Sequence, residues 1–217
     1  MLELCHALAP GQKVEECNGQ AAIDADNLMI EQSTGQLIGG SRLRLWENER
    51  CLVTTKRFTR FPNYRETARR SAQRGWPVFV RSTGGTTVVH RPGVLNISLL
   101  TASENAVILP NQSYRELCDL LLEGLRKMGV EAELGSVPGS FCDGRYNICV
   151  EGRKLAGTAS RIVRREGKSI HLCHASITVY GCCAEDASLV SKFERGIGHS
   201  THIDHSSHIS LKQVQLR

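Results

Sequence analysis

Among the nine cysteines of the chain, Cys142 is set apart by where it falls. It lies in Gly139-Ser140-Phe141-Cys142-Asp143-Gly144-Arg145, a glycine-flanked loop, whereas Cys149 and Cys173 fall within apolar runs that read as strands. A reactive cysteine needs access and a nearby positive charge, because the thiolate is the nucleophile and a free thiol titrates near about 8.5. Arg145, or Lys154 in Glu151-Gly152-Arg153-Lys154-Leu155-Ala156-Gly157, could supply that charge. The residues alone leave two readings open for each position: Cys142 as nucleophile or as inert loop thiol, and Lys154 as its partner or as a solvated hairpin lysine.

A second segment of chemical interest is Val80-Arg81-Ser82-Thr83-Gly84-Gly85-Thr86-Thr87-Val88-Val89-His90, a strand, a glycine turn and a strand. Adjacent glycines let the backbone approach a ligand, and their N–H groups can cradle a carboxylate, a phosphate or an acyl carbonyl. The plainer reading is a tight turn. The pattern is neither the dinucleotide fingerprint ahead of a helix nor a P-loop. His90 at the strand end is either a second base or a structural histidine. His199, His202, His205 and His208 recur every third residue, but no cysteine pair accompanies them and their Ser, Thr and Gly neighbours favour a solvated, irregular segment, so no metal is expected.

The elements that must hold these residues follow from hydrophobic periodicity. Residues 21–35 suit an amphipathic helix ending at Gly35. The runs Arg42 to Glu47 and Cys51 to Arg57 flank a polar Asn48-Glu49-Arg50 turn and read as a hairpin. Residues 64–74 favour a helix, and strands follow at 77–81, 87–90 and 94–100. Ser113-Tyr114-Arg115-Glu116 reads as a capping box opening a helix through Leu117, Leu121, Leu125 and Met128 to Gly129. Strands at 146–151, 155–163 and 169–180, with turns at 151–153 and 165–167, precede a last helix over 184–195. Clustered strands and few helices predict an α+β fold with a mixed β-sheet and flanking helices. No repeat or linker is visible, so one catalytic domain over 1–217 is expected, with about 1–20 as an N-terminal extension and about 199–217 as a histidine-containing tail.

Composition narrows the function classes. The hydrophobic fraction of 41% and charged fraction of 23% are those of a folded protein. Apolar stretches such as Val78 to Val80 fall far short of the roughly 20 residues that span a bilayer, and the early Glu3 argues against a secretory signal. An odd number of scattered cysteines suits free thiols in a reducing cytosol, so a cytoplasmic location is expected. The net charge of +5 is modest. Basic residues read as spread along the chain, which disfavours nucleic acid as partner, while a mildly basic surface favours encounter with an acidic protein.

Taken in order, Asn27, Leu43-Arg44-Leu45-Trp46, Arg81-Ser82-Thr83-Gly84-Gly85-Thr86 with His90, Gly93-Val94-Leu95-Asn96-Ile97, and Gly152-Arg153-Lys154-Leu155-Ala156-Gly157 resemble the biotin/lipoate protein ligase superfamily over roughly residues 20–195. The resemblance implies that superfamily's catalytic-domain fold, an acyl tunnel lined by the Arg81, Gly84, Gly85 and Thr86 turn, and a substrate-binding set that includes His90, Asn96 and Gly157. It also implies that Lys154 binds the acyl carbonyl or an adenylate. Ser140-Phe141-Cys142-Asp143-Gly144 just ahead of the Tyr146-Asn147 strand is most similar to the cysteine-dependent octanoyl (lipoyl) transferases. Those amidotransferases draw on the glycine-cleavage H protein, and Cys142 occupies their nucleophile position. The function so implied is transfer of an octanoyl or lipoyl group from H protein to the lysine of a 2-oxoacid dehydrogenase lipoyl domain through a Cys142 thioester, without a cofactor. Thr86-Thr87 departs from the small residue that ligases often carry there, and little chain remains for the larger ligases' accessory domain. Two alternatives stay open: an ATP- and Mg²⁺-dependent lipoate-protein ligase working through an adenylate, and a carrier-binding protein without turnover.

Overall fold

The computed structural model describes residues 1–33, 40–103, 110–165, 167–199 and 202–216. Its backbone is organised by two sheets. The larger has seven strands in the order β1 (Glu15–Cys17), β2 (Ser41–Asn48), β6 (Val94–Ser103), β10 (Lys168–Thr178), β9 (Arg153–Arg165), β8 (Asn147–Val150) and β7 (Glu133–Gly135). Only the β1–β2 pair is parallel. The smaller has β3 (Cys51–Thr55) between β4 (Val78–Arg81), parallel to it, and β5 (Val88–His90), antiparallel. Both sheets are mixed, and with the helices they give the α+β architecture that the residue pattern predicts.

Helical leucines supply one side of the main core. In α4 (Pro110–Lys127), Leu117, Leu121 and Leu125 recur at helical spacing and are fully buried against Leu95, Ile97, Ile148, Leu155 and Ile177 of the large sheet. Each such side chain contributes about 1.5–3 kcal/mol through burial. A second cluster joins Leu52 and Val89 of the small sheet to Ala187, Val190, Phe193 and Ile197 of α5 (Cys183–Ile197). A third sets Ala22 and Ile23 of α2 (Gly19–Gln32) on Trp46, Cys51 and Val53. The register that positions the site is in the large sheet, where Ser176 of β10 lies opposite Asn96 on one side and Gly157 on the other.

Several expectations need correction. The runs around Asn48-Glu49-Arg50 do not pair with each other: β2 joins the large sheet beside β6, and β3 becomes the centre of the small one. The chain therefore crosses between sheets at that turn. Helix α4 begins at Pro110, so Ser113 lies inside it and is not its N-cap. Residues 1–20 are no appendage, because α1 (Leu2–Leu8) buries Leu4, Cys5 and Leu8 in the main core and β1 pairs with β2. Gly35, expected to stop α2, and Glu166 of the expected 165–167 turn lie outside the described residues. Residues 202–216 are not a solvated tail either. Ile203, Ile209 and Leu211 are buried, and a capping box between Ser210 and Gln213 opens α6 (Leu211–Gln215).

Candidate active site

The glycine turn between β4 and β5 and the loop ahead of β8 meet at Cys142. The Thr86 N–H points at the Cys142 sulfur at 3.2 Å, and the Cys142 N–H donates to Thr86 Oγ1 at 3.2 Å. Arg81 Nη2 lies 3.7 Å from the same sulfur. Cys142 has φ 50, the left-handed region that costs a non-glycine residue of order 1–3 kcal/mol. Asp143 holds that bend: its carboxylate accepts from the Val137 and Gly144 N–H groups at 2.8 Å each, from Asn147 Nδ2 at 2.7 Å and from Ser136 Oγ at 2.6 Å. Partial burial pushes the Asp143 carboxyl up, but the Ser136, Val137 and Gly144 donors, with Lys154, outweigh it and keep the carboxyl below its usual range.

The two glycines serve different ends. Gly85 has φ +98, and a Cβ there would stand 2.5 Å from the Cys142 sulfur, so a side chain would evict the thiol. At Gly84 a Cβ would meet nothing within 4 Å; its carbonyl instead accepts from Arg81 Nη2 at 3.0 Å. Arg81 also donates to Thr86 O at 2.6 Å and Val53 O at 2.9 Å. Its guanidinium thus splints the turn beside the sulfur while lining the cleft described below.

Lys154 approaches from β9. It is 3% exposed, and Nζ donates to Phe141 O and Cys142 O, both at 2.7 Å. An ammonium has three N–H donors, which leaves one for another acceptor. Gly157 makes the space: a Cβ there would be 2.9 Å from Lys154 Cε. The Lys154 backbone is gripped by the chain near its C-terminal end, through Lys154 N–H to Ser207 O at 2.8 Å and Ile209 N–H to Lys154 O at 3.0 Å. Between those two residues His208 stacks on Phe141 with ring centroids 4.1 Å apart.

Electrostatics favour the thiolate. Burial pushes the Cys142 thiol up, and Glu194 adds to that, but the Arg81 and Lys154 charges and the Thr86 N–H outweigh both and bring it below the ordinary cysteine value. Burial likewise lowers the Lys154 ammonium. Arg145 is exposed and supplies none of this charge. The sulfur opens on a cleft of about 500 Å³, solvent at its mouth included, walled by Val88, Val89 and Val94 and by Leu155 to Ala159, with Cys142, Lys154, Phe141 and His208 also in its lining. Apolar walls with a few convergent polar groups suit an acyl chain with a reactive end.

Not every expected site residue meets in this cleft. His90 and Asn96 line a second pocket of about 280 Å³, solvent at its mouth included, with Trp46, Asp26 and His174, which shares Arg81 and Ser176 with the first. His90 Nδ1 and Asn96 Nδ2 are buried there without a hydrogen-bond partner. Burial first, then Arg81 and His174, push His90 down to about 3, so it is neutral. Among the described residues no group of three or more His, Cys, Asp or Glu side chains could hold a metal. His202 and His205 are exposed while His208 is buried, which breaks up the every-third-residue pattern.

A model of the lipoyl protein ligase A/B catalytic domain matches residues 20–202. The chain belongs to that family. An uncharacterized protein of Cupriavidus necator is 32% identical to it over 214 residues, covering 91% of this chain and 83% of that protein. An octanoyl-GcvH:protein N-octanoyltransferase of Kyrpidia tusciae is 39% identical over 142 residues, 62% of this chain and 47% of its own length. The enzyme of the same name from Geobacillus kaustophilus is 34% identical over 173 residues, 79% and 58% respectively. The chain thus spans about half the length of these octanoyltransferases. Among solved structures, lipoate-protein ligase A bound with ATP matches with TM-score 0.60 at 20% identity, over 94% of this chain and 79% of that one. A bipartite lipoate protein ligase from Thermoplasma acidophilum matches with TM-score 0.62 at 17% identity, over 94% and 78%. At such identities the two structures speak for the fold.

Within this lipoyl ligase-family site, four residues went unassigned by sequence reasoning: Phe141, Asp143, Glu194 and His208. Glu194 is 2% exposed and accepts from the Thr87 N–H at 2.9 Å, bracing the glycine turn from α5. His208 lies beyond the matched residues 20–202. Its signals were the alternation of Ile209 and Leu211 and the Ser210-x-x-Gln213 capping pattern, which mark an ordered segment.

Proposed function

We propose that this chain is an acyltransferase that moves an octanoyl or lipoyl group from the lysine of a donor carrier protein, the glycine-cleavage H protein, to the lysine of a lipoyl domain through Cys142. The observation that carries this reading is a thiol placed between the Thr86 N–H and two buried cations, at the head of an apolar cleft. The octanoyltransferase names of the similar proteins support the substrate class.

The Cys142 thiolate attacks the carbonyl carbon of the donor amide, forming a C–S bond and a tetrahedral oxyanion. The spare N–H of Lys154 and N–H groups of the Gly84-Gly85-Thr86 turn stabilise that charge. The C–N bond then breaks as the leaving lysine takes a proton, for which the Lys154 ammonium is the nearest donor in this arrangement. In the second half the acceptor lysine attacks the thioester, C–N forms, C–S breaks, and the proton lost by the amine returns to Lys154. Exchange of one amide for another is nearly isoenergetic, so no ATP or other cofactor is required. The low affinity of Lys154 for its proton, a result of burial, suits such shuttling.

The test is incubation with octanoylated H protein without ATP, followed by intact mass spectrometry. An octanoyl adduct on Cys142 that passes to an unmodified lipoyl domain is the expected result. Transfer that requires ATP and lipoate and leaves no adduct would replace this reading with an adenylating ligase.

A further inference from the structure

The formal charge of the chain is concentrated in one place. Between Lys56 and Arg74 there are seven basic residues and one acid, Glu66, a net +6, whereas the whole chain carries +5; the remainder therefore sums to −1. The expectation of evenly spread basic residues is corrected by this count. All seven cations are exposed, four of them (Arg65, Arg69, Arg70 and Arg74) on or at the end of α3 (Tyr64–Gln73). Glu66 offsets one of these charges: Arg69 and Arg70 hold its carboxylate at 2.9 and 2.6 Å and keep it ionised, down to about 2, and the net +6 already includes it. None of the residues of α3 is fully buried, so the helix turns most of its surface outward.

This face adjoins a groove. Between α3 and α5 lies a depression of about 830 Å³, open solvent above it included, with Trp76, Leu189 and Phe193 among its apolar lining and Arg70, Arg74 and Lys192 among its cations. The two helices approach closely at Gly196, where a Cβ would stand 2.7 Å from Thr67 Cγ2. The Arg50 guanidinium lies 5.3 Å from the Trp76 ring centroid, adding another cation to the edge. The hydrophobic cluster under α3 includes Tyr64, Ala68 and Trp76, and Phe141, the neighbour of Cys142, packs against the same cluster. The charged face and the cysteine loop thus share one packed support.

We propose that α3 and the α3–α5 groove form the docking surface for the acyl-carrier domain, engaging an acidic face whose carboxylates meet the arginines and whose apolar side chain enters beside Trp76. The partner follows from charge complementarity together with the reaction: each half of the transfer brings a carrier-bound lysine to Cys142, and a cationic surface on the same support captures an acidic domain by long-range attraction. The inference rests on the transferase reading for the identity of the partner, but its readout is binding.

The affinity of fluorescently labelled H protein is measured by anisotropy for the wild-type chain, for the charge reversal Arg65→Glu/Arg74→Glu, and for the control reversal Arg126→Glu/Lys127→Glu at the far end of α4. Acylation of Cys142 by the small thioester octanoyl-N-acetylcysteamine is followed in parallel. The expected result is at least a tenfold loss of carrier affinity in the α3 variant, a salt dependence that flattens with it, and unchanged acylation by the small thioester. Carrier affinity that survives the reversal, or falls equally in the control, overturns the docking surface while leaving the transferase reading intact. Tighter binding of a single-stranded RNA oligonucleotide than of carrier at this face would also overturn it. Failure of the small thioester to acylate wild-type Cys142, with carrier binding still lost in the α3 variant, counts against the chemistry and for the surface.

Discussion

The loop that carries Cys142 and the main core, where Cys118 of α4 packs with Cys173 of β10, enclose the same side chain to opposite effect. Burial pushes Cys118 and Cys173 up to about 12, with nearby acids adding to the rise. Cys142 is also penalised by burial, yet ends below the ordinary value because Arg81 and Lys154 face it and the Thr86 N–H points at it. Enclosure alone therefore disfavours the thiolate, and enclosure with fixed cations favours it. The cations in turn are fixed by donating to backbone carbonyls of the very loops they serve, Arg81 to Gly84 O and Thr86 O and Lys154 to Phe141 O and Cys142 O.

The sharpest way to break this contrast is to remove each sulfur. Cys142→Ala is expected to lower acyl transfer at least about 1,000-fold with little change in thermal midpoint, whereas Cys173→Ala leaves transfer intact and loses about 1 kcal/mol of stability in urea unfolding. A Cys142→Ala protein that transfers at the wild-type rate would end the assignment. Next in size, Lys154→Met removes one cation and strips Phe141 O and Cys142 O of their donor. A rate loss of about 100-fold is expected. The pH midpoint for iodoacetamide labelling of Cys142 should move upward, since one positive charge that favours the thiolate is gone; a midpoint that stays put would assign the effect to Arg81 and the Thr86 N–H.

Gly85→Ala attacks the contrast from the steric side. The added Cβ meets the sulfur and the residue must hold φ +98, so Cys142 labelling should slow about tenfold and stability fall by about 1–3 kcal/mol. Gly84→Ala, with open space at its Cβ, should do far less, and equal effects would show that the turn as a whole is being disturbed. The smallest expected effect concerns acid. His90 and His208 are both pushed down to about 3 by burial first, then by Arg81 and His174 in one case and Lys154 in the other. Between pH 6.5 and 3 the unfolded chain binds these protons and the folded chain does not, so stability falls as pH falls through that window. Urea unfolding at pH 7 and pH 5 should differ by on the order of 2 kcal/mol for each histidine, and His208→Gln should remove its share of the slope.

Much of this site was legible in the residues. Cys142 on a glycine-flanked loop, Lys154 and the Gly84-Gly85 turn do converge, and Gly85 and Gly157 are the small residues that let the sulfur and the lysine in. What the sequence withheld was pairing at a distance. The polar stretch at Asn48 to Arg50 looks the same whether its flanking strands pair together or enter different sheets, since turn chemistry is local and strand partnership is not. Arg145 and Lys154 were equal candidates for the charge beside Cys142 because sequence proximity says nothing about which cationic side chain folds inward. Arg81, 61 residues away in sequence, also proved to reach within 3.7 Å of the sulfur. His208 was obscured by its neighbours: serines and histidines suggest solvent, while only Ile209 and Leu211 hint that the segment packs.

The two backbone bonds that clasp Lys154 between Ser207 and Ile209 also set an order of assembly. During translation the lysine strand emerges well before the residues that lock it, so the pocket around the sulfur stays unfinished until the chain through Leu211 is available. A proteolytic nick near residues 203–206 would separate the clasp from the bulk of the protein and loosen the lysine without touching any residue of the reaction. In a nascent or clipped molecule the cation that favours the Cys142 thiolate is less firmly placed, and the sulfur rests closer to an ordinary thiol.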